Sequence, residues 1–277
     1  SADKKEFETL KENEKRLIKN ILAFFAASDT IVNANLSNNF IEEIDGLEAN
    51  FNYSFQQMME CVHSETYALQ IDVLISDEKE KNELFESVRH NESIRQKAAW
   101  AFKYMNKEIP LHKRLFAFAL VEGLHFQSSF ASIAYFRTKN KMSGLVTAND
   151  FISRDEGMHA ELSCEIFRRE NKKLAEDERM TQKEAEMIVR DAVAVENFFV
   201  ENALETGILG LNDKTMMQFV KCVADTLMGM AGFKPFYNAK NPLVFMESHG
   251  LNKKVNFFEH RPSEYAKAGV GNTQEEI

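Results

Sequence analysis

The chain has 277 residues, 44% hydrophobic and 28% charged, and its 34 basic and 43 acidic side chains leave a formal charge of -9. That is a core-forming composition, and its acid surplus, with no run of Lys or Arg, argues against a nucleic-acid partner. No apolar stretch approaches the roughly 20 residues that cross a bilayer, and the opening Ser-Ala-Asp-Lys-Lys has no hydrophobic signal region, so no membrane and a cytoplasmic location are expected.

No proline occurs before Pro110 or between Pro110 and Pro235, which leaves two long stretches without the strongest helix breaker. Apolar residues recur at helical spacing through Leu17, Ile18, Ile21, Leu22 and Phe25, and again through Ile188, Val189, Ala192, Val195 and Phe199. The pattern is all-α, with helices near 8–28, 37–73, 78–87, 92–107, 111–140, 147–170, 181–207 and 213–231. Thr181-Gln-Lys-Glu184 has the capping-box form that satisfies the free amides of a first helical turn. One domain over 1–260 and a mobile polar tail over 261–277 are expected. Cys61, Cys164 and Cys222 are odd in number and far apart, which reads as reduced core thiols. Ser1 is not an initiator methionine and Ile277 ends a polar stretch, so the sequence reads as a trimmed piece of something longer.

An ordered repetition stands out: Asp29, then Glu60-Cys-Val-His63, then Glu122, then Glu156-Gly-Met-His159. A single carboxylate precedes Glu-x-x-His twice, at gaps of 31 and 34 residues, about the length that carries a chain along one helix and back down the next. Residues three apart on a helix lie about 60° apart around its axis, so each Glu and its His point the same way and can share one ion. Oxygen and imidazole donors suit iron or manganese, whereas a structural zinc site favours cysteines. Four carboxylates are cancelled by two divalent ions, or by two trivalent ions with one bridging oxide. Without metal, such crowding raises the carboxylate pKa values and costs stability.

Other readings compete at each position. Glu122-Gly-Leu-His125 is a third match to the spacing; Glu122 is taken as a ligand and His125 is set aside. Ser153-Arg-Asp-Glu156 also fits a capping box. Glu60 and His63 lie among Phe55, Met58, Met59, Val62 and Leu69, apolar company in which a charge needs a cation or a partner. Tyr67, on the same helix face, is as readily a core tyrosine bonded to a carboxylate as a redox group.

Together these residues resemble the small, radical-bearing subunit of class I ribonucleotide reductase in its eukaryotic and viral form. The segments that carry the likeness are Leu22-Ala-Phe-Phe-Ala-Ala-Ser-Asp29 with Ile31-Val-Asn33, Glu60-x-x-His-Ser-Glu-x-Tyr67, Val121-Glu-Gly123, Ile152-Ser-Arg-Asp-Glu-Gly-x-His159 and Asn256-Phe-Phe-Glu259. The resemblance implies a ferritin-like bundle holding an oxo-bridged pair of iron ions on Asp29, Glu60, His63, Glu122, Glu156 and His159, with manganese as the other metal such donors accept. It implies that dioxygen and the metals oxidise Tyr67 to a persistent radical, sheltered by Phe126, Phe130 and Ile152. It also implies that Asp155 and Tyr265 pass the radical to a large subunit that makes deoxyribonucleotides from ribonucleoside diphosphates, and that the chain is a homodimer. A related di-metal oxidase or oxygenase, or a metal-storage bundle, is the alternative reading. The family's relay tryptophan lies upstream of the first residue here, Trp100 does not inherit its role, and the family's docking peptide is not recognisable in 271–277. Metal binding without turnover is therefore the expectation for this polypeptide.

Overall fold

The long proline-free stretches become long helices because their apolar residues recur on one face and have a core to meet. The computed structural model describes residues 2–204 and 213–246, and every regular element among them is helical. Helix α1 (Ala2–Thr9) leads into α2 (Glu12–Asn35), which continues through a π-helical turn at Leu36–Phe40 into one last turn, α3 (Ile41–Glu43). Then come α4 (Leu47–Leu74), the short α5 (Glu78–Phe85) and α6 (Ser87–His90), α7 (Glu92–Met105), α8 (Leu111–Gly123), α9 (Gln127–Arg137), α10 (Ser143–Lys173), α11 (Gln182–Ala203) and α12 (Asp213–Met230).

Side-chain caps fix several starts. The Asn91 carboxamide accepts from the amides of Ser93 and Ile94, Asp77 accepts from Glu80, and the capping box of Thr181 and Glu184 forms as the sequence implies. Four helices make the centre: α8 packs along α10, α2 along α4, and α4 meets α10. The fully buried rings of Phe24, Phe25, Phe116, Phe126, Phe130, Phe167 and Phe199 fill the space between helices, each contributing roughly 1.5–3 kcal/mol on burial.

Several expected boundaries move. The helix placed at 8–28 runs on past Asp29, because that acid turns inward instead of ending the helix. The single helix placed at 37–73 is interrupted after α3, where Gly46 takes φ +128°, a conformation that side-chain-bearing residues avoid. The one placed at 111–140 is broken at Leu124–Phe126. Of the thiols, Cys164 alone is buried; Cys61 is exposed and Cys222 half-buried. The continuous helix Glu12–Glu43 is, against expectation, long and apolar enough by length and composition to cross a membrane, and half of its apolar window is buried within the protein. The limit at 260 and the tail 261–277 lie outside the described residues.

Candidate metal centre

Each central helix delivers part of one cluster: Asp29 from α2, Glu60 and His63 from α4, Glu122 from α8, and Glu156 and His159 from α10. All four carboxylates are 0% exposed, and His63 and His159 are 1% and 6% exposed. The i, i+3 spacing puts each Glu beside its own His, with His63 Nδ1 3.3 Å from Glu60 Oε2 and His159 Nδ1 3.1 Å from Glu156 Oε2. The pairs also cross: His63 Nδ1 is 3.0 Å from Glu156 Oε1, and His159 Nδ1 is 2.9 Å from Glu60 Oε1. Glu60 and Glu156 therefore each face both imidazoles, while Glu122 Oε2 lies 3.9 Å from His159 Nδ1.

Donor atoms fall into two groups, Glu60, Glu122, Glu156 and His159 in one and Asp29, Glu60 and His63 in the other, with the atoms of each within 4.8 Å of one another. Glu60 belongs to both. Both oxygens of Asp29 and Glu122 Oε2 are buried without a hydrogen-bond donor, and Glu60 Oε1 and Glu156 Oε1 face only the imidazole nitrogens and make no aligned hydrogen bond. A buried carboxylate oxygen with no donor is costly, and a cation removes that cost. The orphaned oxygens, the mixed oxygen and imidazole donors and the two overlapping groups fit a di-metal carboxylate site.

Without a cation the cluster draws in protons. Burial, then the charges of Glu60 and Glu156, push Asp29 well above the usual carboxylate range; burial, then Glu156 and Glu60, do the same to Glu122. Burial opposes charge on His63, yet Asp155, Glu156 and Glu60 outweigh it and push the imidazole up to about 12. His159 rises to about 9 as Glu156 and Glu60 outweigh its burial. Burial works against the Glu156 charge too, but His159 and His63 hold that acid below its ordinary value. Metal binding must therefore displace protons.

Around the cluster, Asp155 Oδ2 lies 3.4 Å from His63 Nε2 and fixes which ring nitrogen faces inward, while its Oδ1 is 3.6 Å from the half-exposed Arg154. Tyr67 is 2% exposed and its hydroxyl has no hydrogen-bond partner, so it is not the carboxylate-bonded core tyrosine of the competing reading. Its ring stacks on Phe25 at 4.6 Å, and Phe25 in turn meets Phe126 at 5.8 Å and Phe130 at 5.1 Å. Ile152 is buried in the same core. Tyr265 lies outside the described residues.

Ser153 sits well inside α10, so Glu156 is no helix cap. His125 joins neither donor group; its ring meets the edge of Trp100 at 4.8 Å, and burial, with Lys97 nearby, pushes it down to about 3. Phe55, Met58, Val62 and Leu69 are exposed on the far side of α4, so the apolar company of Glu60 comes from other helices instead. Gly123 follows Glu122 because a Cβ there would lie 2.6 Å from Leu227 and 2.9 Å from Ala160. Two residues escaped the sequence reading. Phe25 walls Tyr67, and Gln56 donates to Glu122 Oε1 at 3.1 Å from one turn before Glu60, a helical spacing that was there to be read.

A profile of the ribonucleotide reductase small chain matches residues 1–242. The chain belongs to the ribonucleotide reductase small-chain family. It is 42% identical to the ribonucleoside-diphosphate reductase small chain of Plasmodium falciparum isolate Dd2, over 98% of this chain and 76% of that one. The small chain of Variola virus is 42% identical over 98% of this chain and 83% of its own. Among solved structures, the ribonucleotide reductase Rnr4 homodimer of Saccharomyces cerevisiae superposes with a TM-score of 0.80 at 31% identity, covering 94% of this chain and 80% of that one. Family and superposition agree on the ferritin-like helical bundle, whose four central helices here bring together a cluster that fits a di-metal carboxylate site.

Proposed function

We propose that the chain is the small subunit of a ribonucleoside-diphosphate reductase, and that Asp29, Glu60, His63, Glu122, Glu156 and His159 hold two iron ions beside a radical-forming Tyr67. The observation that carries this reading is the buried set of donor-less carboxylate oxygens facing two histidines, next to a phenol without a partner. Iron is preferred from the eukaryotic-like motifs; manganese suits the same donors, and metal analysis separates them. Bound metals supply one-electron oxidising power drawn from dioxygen.

With the metals bound and oxidised by dioxygen, Tyr67 would give up its electron and its phenol proton together to that centre. In the metal-free protein, burial, then the charges of Asp29, Glu156, Glu60 and Asp155, push its phenol well above 10, so the ring starts with its proton in place. Phe25, Phe126, Phe130 and Ile152 keep water and reductants from the oxidised ring. Asp155 orients His63 and reaches toward the surface through Arg154, which supports a transfer role toward a large-subunit partner; Tyr265 is the proposed next relay. Loading with ferrous iron and oxygen should give a tyrosyl doublet by electron paramagnetic resonance that disappears in Tyr67→Phe. Wild-type protein holding two irons per chain and giving no radical would sink the reading.

The partner copy of a homodimer has a surface to meet. Leu47, Phe51, Phe55, Met58, Val62 and Leu69 form an exposed stripe along α4, opposite the face that carries Glu60 and His63. A stripe of this length and spacing is a helix-packing face, and the yeast relative is a homodimer. Phe55→Glu should sediment as a monomer; an unchanged dimer would remove α4 from the interface. A cytoplasmic site of action fits this reading.

A further inference from the structure

The helix that carries Glu122 stops one residue later. After α8 ends at Gly123, the amide of His125 reaches back to the Leu120 carbonyl at 3.1 Å, and α9 starts at Gln127. Such a break leaves carbonyls at the end of one helix and amides at the start of the next without partners inside their own helices. It also sets the negative end of one dipole against the positive end of another. Deep in a core, both ends need polar company.

That company is a buried ion pair. Lys97 of α7 is 3% exposed; its Nζ donates to the His125 carbonyl at 2.5 Å and lies 2.7 Å from Glu196 Oε2. The ammonium also sits over the rings of Phe24 and Phe199, at 3.8 and 3.7 Å. Glu196 of α11 is 0% exposed, and it accepts from the hydroxyl of Ser128 in the first turn of α9, whose backbone amide also favours its charge. A cation thus meets the carbonyl end of the break and an anion its amide end. Stability alone does not account for the pair, because apolar side chains of similar volume often replace a buried ion pair at no cost or with a gain.

We propose that Lys97 and Glu196 are positioning residues: by satisfying both ends of the turn at Leu124–Phe126, they fix the aim of Glu122 on one side and of Phe126 and Phe130 on the other. The inference rests on the metal-centre reading above, and it assigns to two residues outside the cluster the task of holding one ligand and one wall of the phenol pocket. Neither residue touches the metal donors or Tyr67.

The test is the full chain carrying Lys97→Met with Glu196→Gln, which removes the charge pair but keeps a hydrogen-bonding group for Ser128. Cobalt(II) is the probe, because its visible absorption reports ligand geometry without oxygen chemistry. The double variant should keep its helical circular dichroism and stay folded at the assay temperature with a lowered melting temperature, while cobalt affinity falls about 10-fold and the absorption bands shift. Ser128→Ala, a smaller change, should move the same bands and lower affinity by a lesser factor. After loading with ferrous iron and oxygen, the tyrosyl signal of both variants should decay several-fold faster than that of the wild type. Wild-type affinity and bands in the double variant would overturn the proposal. Should that variant not fold, unchanged affinity and bands in Ser128→Ala would do so. Wild-type protein that takes up no cobalt removes the metal-centre reading, and the positioning role falls with it; a wild type that binds cobalt but forms no radical leaves the cobalt comparison to decide.

Discussion

Two sets of buried charges among the described residues differ in their arithmetic. Around Glu60 and Glu156, four carboxylates share two imidazoles, and among the described residues no lysine or arginine is paired with the four acids. Elsewhere in the same core, Lys97 faces Glu196 one to one, and the Ser128 hydroxyl donates to Glu196. The first cluster holds more acid than base and pulls in protons, whereas in the second one ammonium faces one carboxylate at 2.7 Å. Burial draws Lys97 down to about 8 and Glu196 up, and their mutual attraction opposes both shifts. A charge imbalance at full burial marks a place built to receive something from outside; a balanced pair marks a fixture.

Three changes press on that contrast. The largest effect is expected at Glu60, the one residue common to both donor groups. Glu60→Ala should lose both ions, whereas Asp29→Ala should lose one; metal analysis that finds one ion per chain in Glu60→Ala would break the shared-ligand reading. Next comes the balanced pair. Glu196→Ala strands a buried ammonium and should cost about 3–5 kcal/mol by urea unfolding. A loss below about 1 kcal/mol would mean that water already reaches Lys97.

The smallest change carries the opposite sign. Glu122 is held above its ordinary 4.5, so the folded state binds its proton more tightly than the unfolded chain. Its penalty is absent below that ordinary value and grows as pH rises toward the folded pKa. Glu122→Gln should therefore stabilise chelator-treated protein by about 1–3 kcal/mol near neutral pH and by less in acid. Urea curves at two pH values check this, and a gain that shrinks on going alkaline would contradict it.

Much of the centre was legible because helical geometry is periodic. Glu-x-x-His places two donors on one face wherever the helix runs, and a repeated gap of about one helix length brings the faces together, so Asp29, Glu60, His63, Glu122, Glu156 and His159 needed no fold to be suspected. Lys97 and Glu196 were not legible, since each is a lone charge in an amphipathic helix and only tertiary packing sets them side by side. The break after Gly123 was hidden for a similar reason: no proline marks it, and the glycine answers to neighbours on other helices. Asp45-Gly46, by contrast, carried an ordinary turn signal that the helical pattern around it masked. The outward apolar stripe of α4 misled in its own way, because sequence proximity to Glu60 says nothing of which side of the cylinder a residue occupies.

Gly123 acts as a gauge block between ligand-bearing rods. It seats α8 against Ala160, the neighbour of His159, with Leu227 closing the third side, so that not even a methyl group fits. Any larger residue would have to widen the gap that Glu122 and His159 now bridge at 3.9 Å. The bite of the centre is thus calibrated by a hydrogen atom that binds nothing.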